Sequence, residues 1–326
     1  MGHVYRCLRL ARELSKKQVK IVFFIRDNPT VQLLIEAEGF TAATFGPTSS
    51  VAALDQETCR YAELECGILY IDLRGDKRRL VDLARSKGLF VVVYDDVYEP
   101  GLFPHLLINP SECDTQKYKG DEVEYLLGSQ YIILDPSLIK FRKLSFSAHI
   151  RSIFVCFGGA DPCNVTARVV NLLIKSGFTG QISVALGLSY RNTAEIKMLT
   201  KDAGSVLIHE GVSFLAPVMT DADAVITSGA TLMCEAIALA LPVLALPTIP
   251  HEVAIAESYK SEGLVDSISC DVNDMDDGVL GSVIYKFMES IAGRAALFRA
   301  QAAELRFIGS VAISARLVQI LEKPCS

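Results

Sequence analysis

The chain has 326 residues, half of them apolar, and a formal net charge of -6 at pH 7. This length exceeds what one hydrophobic core usually supports, so the sequence predicts two domains. The charge balance lacks the basic excess that contacts with nucleic-acid phosphates require. We therefore expect no nucleic-acid partner.

The nine cysteines are scattered along the chain, with no Cys-x-x-Cys pair and no metal-ligand spacing. This usage is typical of a reducing cytoplasm. We expect no metal and no cofactor. The most apolar run, 236–247, is too short to span a bilayer and contains Pro242. We expect a cytoplasmic protein without stable membrane insertion.

The first half of the chain alternates helical and strand patterns. Val4, Cys7, Leu8, Ala11 and Leu14 form one apolar stripe and predict a first helix. Strands are predicted at 20–25, 67–72, 89–94 and 105–109, with helical patterns between most of them. This alternation is typical of a parallel sheet covered by helices, and it predicts one open, twisted sheet.

The periodicity lapses between Leu134 and Ile150, so the predicted domains are 1–146 and 147–326. In the second half, strands are predicted at 152–157, 181–186, 205–208, 222–227 and 242–246. A long Ala-rich helical region is predicted at about 292–321. The second domain is therefore also an α/β unit.

One glycine turn, Phe157-Gly158-Gly159-Ala160-Asp161-Pro162, follows a predicted strand. Paired glycines let backbone amides approach an anion, while Asp161 suits an N-cap and Pro162 the first helical position. Such a helix start offers N–H groups and a positive dipole end to a phosphate. A plain strand-to-helix connection would also produce this pattern.

A second turn, Thr227-Ser228-Gly229-Ala230-Thr231-Leu232-Met233-Cys234-Glu235, has the same organisation. Hydroxyls and amides of Ser228, Gly229, Ala230 and Thr231 suit a phosphate. Glu235, one turn after Thr231, can accept hydrogen bonds from both ribose hydroxyls, and a carboxylate in an apolar helix is seldom buried unpaired. The alternative is a glutamate on the solvent side of the helix.

A third candidate group, Gly2-His3 with Arg6, lies at the start of the first helix. A histidine here can take a proton from water or a hydroxyl group, although a lone histidine is more often structural or exposed. A doubly wound domain normally opens with a strand that leads into the first glycine turn. The sequence begins on the turn itself, so we expect that the first strand is missing and that the natural chain is longer.

Together these segments resemble the GT-B architecture of the MurG type, and more closely the PseG/SpsG-like nucleotide-sugar hydrolases. The first helix resembles the family pattern G-H-x-x-R-C-L-x-L-A. Tyr94-Asp95-Asp96 resembles I-D-D, and Leu126-Leu127-Gly128 with Tyr131 resembles L-L-G-x-x-Y. Residues 157–162 resemble F-G-G-x-D-P, and residues 228–235 resemble the family's nucleotide-binding turn. The match runs over nearly the whole chain.

The resemblance implies two Rossmann-like doubly wound domains facing a cleft. It also implies hydrolysis of a UDP-linked deoxyamino sugar of the UDP-2,4-diacetamido-2,4,6-trideoxy-beta-L-altropyranose type, with inversion, for nonulosonic acid or surface polysaccharide biosynthesis. His3 corresponds to the catalytic histidine. The implied substrate-binding residues are Gly2, Arg6, Asp72, Arg74, Gly158, Gly159, Ala160, Asp161, His209, Gly211, Val212, Ser228, Gly229, Ala230, Thr231, Glu235, His251 and Glu252. Fusion to an upstream nucleotidyltransferase domain, as in relatives, is a further expectation.

Two departures from the family pattern fall on the sugar side. Arg74 stands where the family often has tyrosine, and His251-Glu252 stands where it commonly has Asn-Gln. Two alternatives therefore stay open: an inverting UDP-sugar glycosyltransferase, and a non-catalytic protein that binds nucleotide-sugars. A lipid-linked membrane role gains little support, because no basic amphipathic segment is evident.

Overall fold

The computed structural model describes residues 2–45, 67–73, 75–95, 100–111, 122–187, 189–201, 203–212, 214–304 and 309–322. The chain forms two compact units. The N-terminal unit comprises Met1–Asp135 with Arg306–Ser326, and the C-terminal unit comprises Pro136–Leu305. The first segment of the N-terminal unit thus ends at residue 135, before the predicted domain boundary at 146. The final helix belongs to the N-terminal unit.

The N-terminal unit has parallel strands in two sheets among its described residues, ordered β1-β2 and β3-β4-β5-β6. The single predicted sheet is therefore divided, because β1 and β3 do not pair with each other. The elements are α1 (Gly2–Ser15), β1 (Val22–Arg26), α2 (Pro29–Ala37), β2 (Thr41–Phe45), β3 (Ile68–Ile71), α3 (Arg78–Ser86), β4 (Phe90–Tyr94), β5 (Leu106–Asn109), β6 (Glu124–Leu127) and α11 (Gly309–Leu321).

Helices cover both faces of the β3–β6 sheet. Strand β4 is buried from Val91 onwards, so its apolar side chains pack on both sides. On one face lie Val81 and Ala84 of α3. On the other, Leu10 of α1 packs in one cluster with Ile313 of α11. The first helix is thereby placed with its N-terminus near the carboxyl end of β3.

The C-terminal unit contains one parallel sheet ordered β12-β11-β10-β7-β8-β9. The chain starts in the middle, extends to one edge and then returns to build the other half, which is the doubly wound arrangement. The elements are β7 (Ser152–Cys156), α4 (Val165–Lys175), β8 (Gln181–Leu186), α5 (Thr193–Thr200), β9 (Val206–Glu210), α6 (Ala216–Thr220), β10 (Ala224–Thr227), α7 (Thr231–Ala238), β11 (Val243–Ala245), α8 (Pro250–Ser261), β12 (Asp266–Ser267), α9 (Asp277–Glu289) and α10 (Ile291–Ala303).

A buried arginine supports the helical end of this unit. Arg294 is 2% exposed. Its guanidinium donates to the carbonyl groups of Phe287 and Met288, at the end of α9, and to that of Ala148. One side chain thus satisfies carbonyl groups that the end of a helix leaves without intrahelical partners. Burial lowers the pKa of Arg294 from its ordinary value.

Candidate functional site

The first group of candidate residues meets at the carboxyl end of β3. Asp72 Oδ1 lies 2.6 Å from His3 Nδ1. Arg6 donates to both carboxylate oxygens, from Nη2 at 2.6 Å and from Nε at 2.8 Å. The Asp72 side chain is only 1% exposed, whereas that of His3 is 30% exposed. A buried carboxylate therefore holds a histidine that solvent can reach.

The charges around Asp72 keep it ionised. Burial alone would raise the pKa of this carboxyl, but hydrogen bonds from His3 and Arg6, together with the charge of Arg6, lower it below its ordinary value. The Arg6 guanidinium also lies over the Tyr94 ring, 4.2 Å from its centroid. Burial, followed by the charge of Asp72, raises the pKa of the neighbouring Cys7 thiol well above its usual range. Cys7 thus remains a neutral thiol here.

Two contacts bear on which nitrogen of His3 carries the proton. Asp72 Oδ1, 2.6 Å from His3 Nδ1, can only accept and requires a proton there, whereas Arg6 Nη2, 3.0 Å from the same nitrogen, can only donate and requires its lone pair. We assign the proton to Nδ1, because the shorter contact to the carboxylate is the stronger one. In the neutral ring, Nε2 then presents its lone pair. A histidine oriented in this way by a buried carboxylate has the arrangement of a general base.

A second buried ion pair, which the sequence did not single out, lies nearby. Lys77 Nζ is 3.4 Å from Asp95 Oδ1, and the two side chains are 5% and 8% exposed. Lys77 Nζ also donates to the carbonyl oxygen of Gly75 at 3.0 Å. The pair ties the segment after β3 to the end of β4. Asp95 belongs to a quoted motif, but a lone lysine before a helix carries no comparable signal.

In the C-terminal unit, the two glycine turns flank the point where the strand order reverses. The turn 158–160 follows β7, and the turn 228–230 follows its neighbour β10. Ligands of doubly wound sheets bind at this point, at the carboxyl ends of the strands. Thr227 Oγ1 donates to the carbonyl oxygen of Cys156 at 2.6 Å, which fixes the two strand ends together.

Gly158, Gly159 and Ala160 are exposed, and Gly158 has φ 84°, a conformation that favours glycine. The turn is supported by the next loop. Ser189 N donates to Gly159 O at 3.0 Å, and a side chain at Gly187 would collide with the backbone of Gly159. Exposed backbone amides are therefore held in a fixed turn.

The predicted start of the following helix is wrong. Helix α4 begins at Val165, and Pro162 lies in a turn rather than at the first helical position. Asp161 is 5% exposed, and its carboxylate accepts hydrogen bonds from the amides of Val165 and Thr166 at 2.9 and 2.8 Å. Because a negative group already occupies this helix start, α4 is less suited to a phosphate than the exposed amides before it.

The second turn leads into a helix start where no acidic side chain of the described residues caps the first turn. Helix α7 begins at Thr231, and the N-cap residue is Ala230, which has no side-chain oxygen. A side chain at Gly229 would lie 2.6 Å from the carbonyl oxygen of Glu252, so only glycine fits against α8. Ser228 is buried, while Thr231 is exposed. The dipole of α7 is thus available to an anion.

Glu235 lies on α7, and its side chain is half-buried. Burial, which is the largest cause, and the charges of Asp161 and Glu235 raise the pKa of Cys156 to about 11, against the opposing effect of a backbone hydrogen bond from Gly158. The Glu235 carboxylate is therefore close enough to the end of β7 to act on Cys156.

The remaining candidates are distributed around the same unit. His209 lies near the end of β9, the strand at the edge of the sheet. Its buried Nε2 has no hydrogen-bond partner among the described residues. Gly211 has φ 68°, and Val212 is 37% exposed. His251 is exposed at the start of α8, whereas Glu252 is 6% exposed.

The position of Glu252 differs from what a sugar ligand would need. Its Oε2 accepts hydrogen bonds from the amide and hydroxyl of Thr248, at 2.8 and 3.0 Å. The carboxylate therefore fixes the start of α8, and His251 is the more accessible of the two residues. Arg74 and Asp96 lie outside the described residues.

Comparison with known proteins gives two relatives by sequence; no protein-family model matches the chain. An uncharacterized protein of Methanocaldococcus jannaschii is 28% identical over 260 residues, which are 76% of this chain and 52% of that protein. The chain therefore spans about half the length of this relative. The spore coat polysaccharide biosynthesis protein SpsG of Bacillus subtilis is 22% identical over 283 residues, covering 81% of this chain and 78% of SpsG.

Solved structures define the fold. MurG of Acinetobacter baumannii superposes with a TM-score of 0.72 at 12% identity, covering 98% of this chain and 96% of MurG. Anabaena Alr3699/HepE, solved with UDP and glucose, gives a TM-score of 0.63 at 13% identity, covering 99% and 96%. The chain has the GT-B fold of these proteins, with two Rossmann-like units. Among the residues that the structure describes, no helix is long and apolar enough to cross a membrane.

Proposed function

We propose that the protein hydrolyses a UDP-linked deoxyamino sugar at its anomeric carbon, releasing UDP and the free sugar. The observation that carries this proposal is the contact between His3 and the buried Asp72. In the proposed reaction, His3 Nε2 takes a proton from water while the water oxygen bonds to the anomeric carbon. The bond from that carbon to the diphosphate oxygen breaks, and the configuration inverts.

The C-terminal unit would hold the nucleotide. We assign the diphosphate to the exposed amides at Gly158–Ala160 and to the start of α7, where aligned N–H groups stabilise the leaving negative charge. Glu235 would accept hydrogen bonds from the ribose hydroxyls. His209, Gly211 and Val212 are assigned to the base, and His251 to the sugar. The relationship to SpsG supports a role in surface polysaccharide or nonulosonic acid biosynthesis.

An inverting glycosyltransferase is the second candidate. MurG and the other structures share this fold, and an oriented histidine can remove a proton from an acceptor hydroxyl as well as from water. Incubation with a panel of UDP-linked amino sugars, without any acceptor, distinguishes the two functions. Release of UDP and free sugar in equal amounts is expected for the hydrolase. Release that occurs only after an acceptor is added would assign the transferase.

A further inference from the structure

A cavity of about 700 Å³ lies at the amino ends of β7 and β10, within the C-terminal unit. Arg151 directly precedes β7, whereas Gly158 and the proposed nucleotide site follow its carboxyl end. At about 3.3 Å per residue of strand, the two places are separated by roughly 20 Å. The polar lining of the cavity consists of Lys143, Ser145, Ser147, His149, Arg151 and Asp223.

The backbone around the cavity is held in place by hydrogen bonds. Asp223 Oδ2 accepts from the amides of Arg151 and Ser152, at 2.8 and 3.1 Å. The buried Arg294 donates from Nη2 to the carbonyl oxygen of Ala148, another lining residue, at 2.7 Å. The segment before β7 is thereby fixed to the start of β10 and to α10. The lining side chains thus extend from a backbone of defined conformation.

Three basic side chains extend from this segment into the lining: Lys143, His149 and Arg151. Within the part of the chain that the structure describes, none of the three side chains has a hydrogen bond or an ion pair. Arg142, in the same segment, instead donates to two backbone carbonyl groups. The basic groups that line the cavity are therefore available to a ligand.

The acidic group in the lining does not cancel their charge. The carboxylate of Asp223 already accepts from two backbone amides. Burial lowers the pKa of Arg294, and the charges of Glu289 and Asp223 oppose this effect, so Asp223 acts on a buried guanidinium. Lys143 and Arg151 then leave the cavity with a positive balance. A positive concave surface attracts and concentrates anions.

The shape and chemistry of the cavity fit a phosphate ester better than a bare anion. A guanidinium can donate two parallel hydrogen bonds to a phosphate, and an ammonium group adds a point charge. Ser147 Oγ donates to the carbonyl oxygen of His149 at 2.7 Å, so it can accept from a ligand hydroxyl. The volume is in the range of small-molecule pockets and exceeds that of one phosphate. Phe146, which packs 5.9 Å from Phe298, adds apolar surface for an organic group.

We propose that this cavity binds a small phosphate ester with a hydroxyl-bearing organic part, of the sugar phosphate class. Arg151 and Lys143 bind the phosphate, and Ser147 and Asp223 accept hydrogen bonds from the hydroxyl groups. The site lies at the opposite end of the sheet from the glycine turns. The inference is independent of the proposed reaction.

The test is calorimetry with glucose 6-phosphate, using glucose and inorganic phosphate as reference probes. We expect Arg151→Gln and Lys143→Gln each to weaken binding of the ester at least about 10-fold, because each removes a charge-assisted hydrogen bond. Lys201→Gln, which removes an exposed lysine outside the cavity, is the matched control and should change affinity less than about 2-fold. Gly187→Ala, which should displace the glycine turn, should leave this affinity unchanged.

Both charge-removing variants should keep Tm within about 2 °C of the wild type, so that weaker binding does not reflect unfolding. Unchanged affinity in both variants would overturn the proposal, as would the absence of ester binding to the wild type at about 10 mM. Glucose or inorganic phosphate binding as tightly as the ester would reject the assigned ligand class. Binding that falls with Gly187→Ala but not with Arg151→Gln would place the ester at the glycine turns and would reject this site.

Discussion

Replacement of Asp72 by Asn tests whether the buried carboxylate positions His3. The substitution keeps the shape of the side chain but removes its charge. The amide nitrogen can then donate to His3 Nδ1, which would move the ring proton to Nε2 and leave no base there. By analogy with other carboxylate-oriented histidines, we expect kcat to fall by about 10²–10⁴-fold. The buried ion pair with Arg6 is also lost, and the amide nitrogen cannot accept the hydrogen bond that Oδ1 accepts from Arg6 Nη2, so the free energy of unfolding should fall by about 3 kcal/mol.

The assay is UDP release from whichever UDP-sugar the unmodified protein turns over, together with UDP affinity by calorimetry. UDP should bind with unchanged affinity, because Asp72 and the proposed UDP site belong to different units. Asp76→Asn is the matched control: its exposed carboxylate pairs with Arg78 after the same strand, and it should change kcat less than about 2-fold. A variant Asp72→Asn that is folded and keeps normal kcat would refute the positioning role.

Three further results are expected. Gly187→Ala should displace the Gly159 turn and weaken UDP binding about 10-fold or more in calorimetry. Gly204→Ala is the control and should leave UDP binding unchanged, because a side chain at residue 204 would meet no other atoms. Arg294→Met should lower the unfolding free energy by about 3 kcal/mol in urea, because three carbonyl groups lose their donor; an unchanged midpoint would contradict this. The folded pKa of Asp72 is depressed, so its contribution is fully present above about pH 4 and is lost as pH falls further. Urea titrations at several pH values should show the stability gap between wild type and Asp72→Asn narrowing below pH 4; a gap that widened there would contradict the assignment.

Patterns of apolar residues were sufficient to predict most of the parallel strands and the first helix. Largely buried strands such as β4 and β10 have continuous apolar runs rich in β-branched residues, and these are the strongest signal. Strand β2 has the sequence TAATF and β12 only two residues, so neither produces a comparable run. The return of α11 to the N-terminal unit depends on tertiary packing against α1 and has no local pattern.

Site geometry was predictable where backbone conformation decides it. Glycines at 158 and 229 mark a positive φ and a close backbone approach, and both requirements can be read from residue type. Asp161 accepts hydrogen bonds from the start of α4, but it stands several residues before the helix, because a turn lies between them. The partnership of His3 with Asp72 joins residues 69 positions apart, and the Lys77–Asp95 pair depends likewise on adjacent strand ends. Spacing along the chain carries no information about either.

We propose that the C-terminal unit binds uridine diphosphate at the point where the strand order of its sheet reverses. Calorimetry of UDP binding to the unmodified protein and to Glu235→Ala tests it most directly, with the exposed Glu257→Ala of α8 as control. We predict one UDP per chain, affinity reduced about 10–100-fold by Glu235→Ala through two lost ribose hydrogen bonds, and no change with Glu257→Ala. Equal UDP affinity in the wild type and the correctly folded Glu235→Ala variant would contradict this claim.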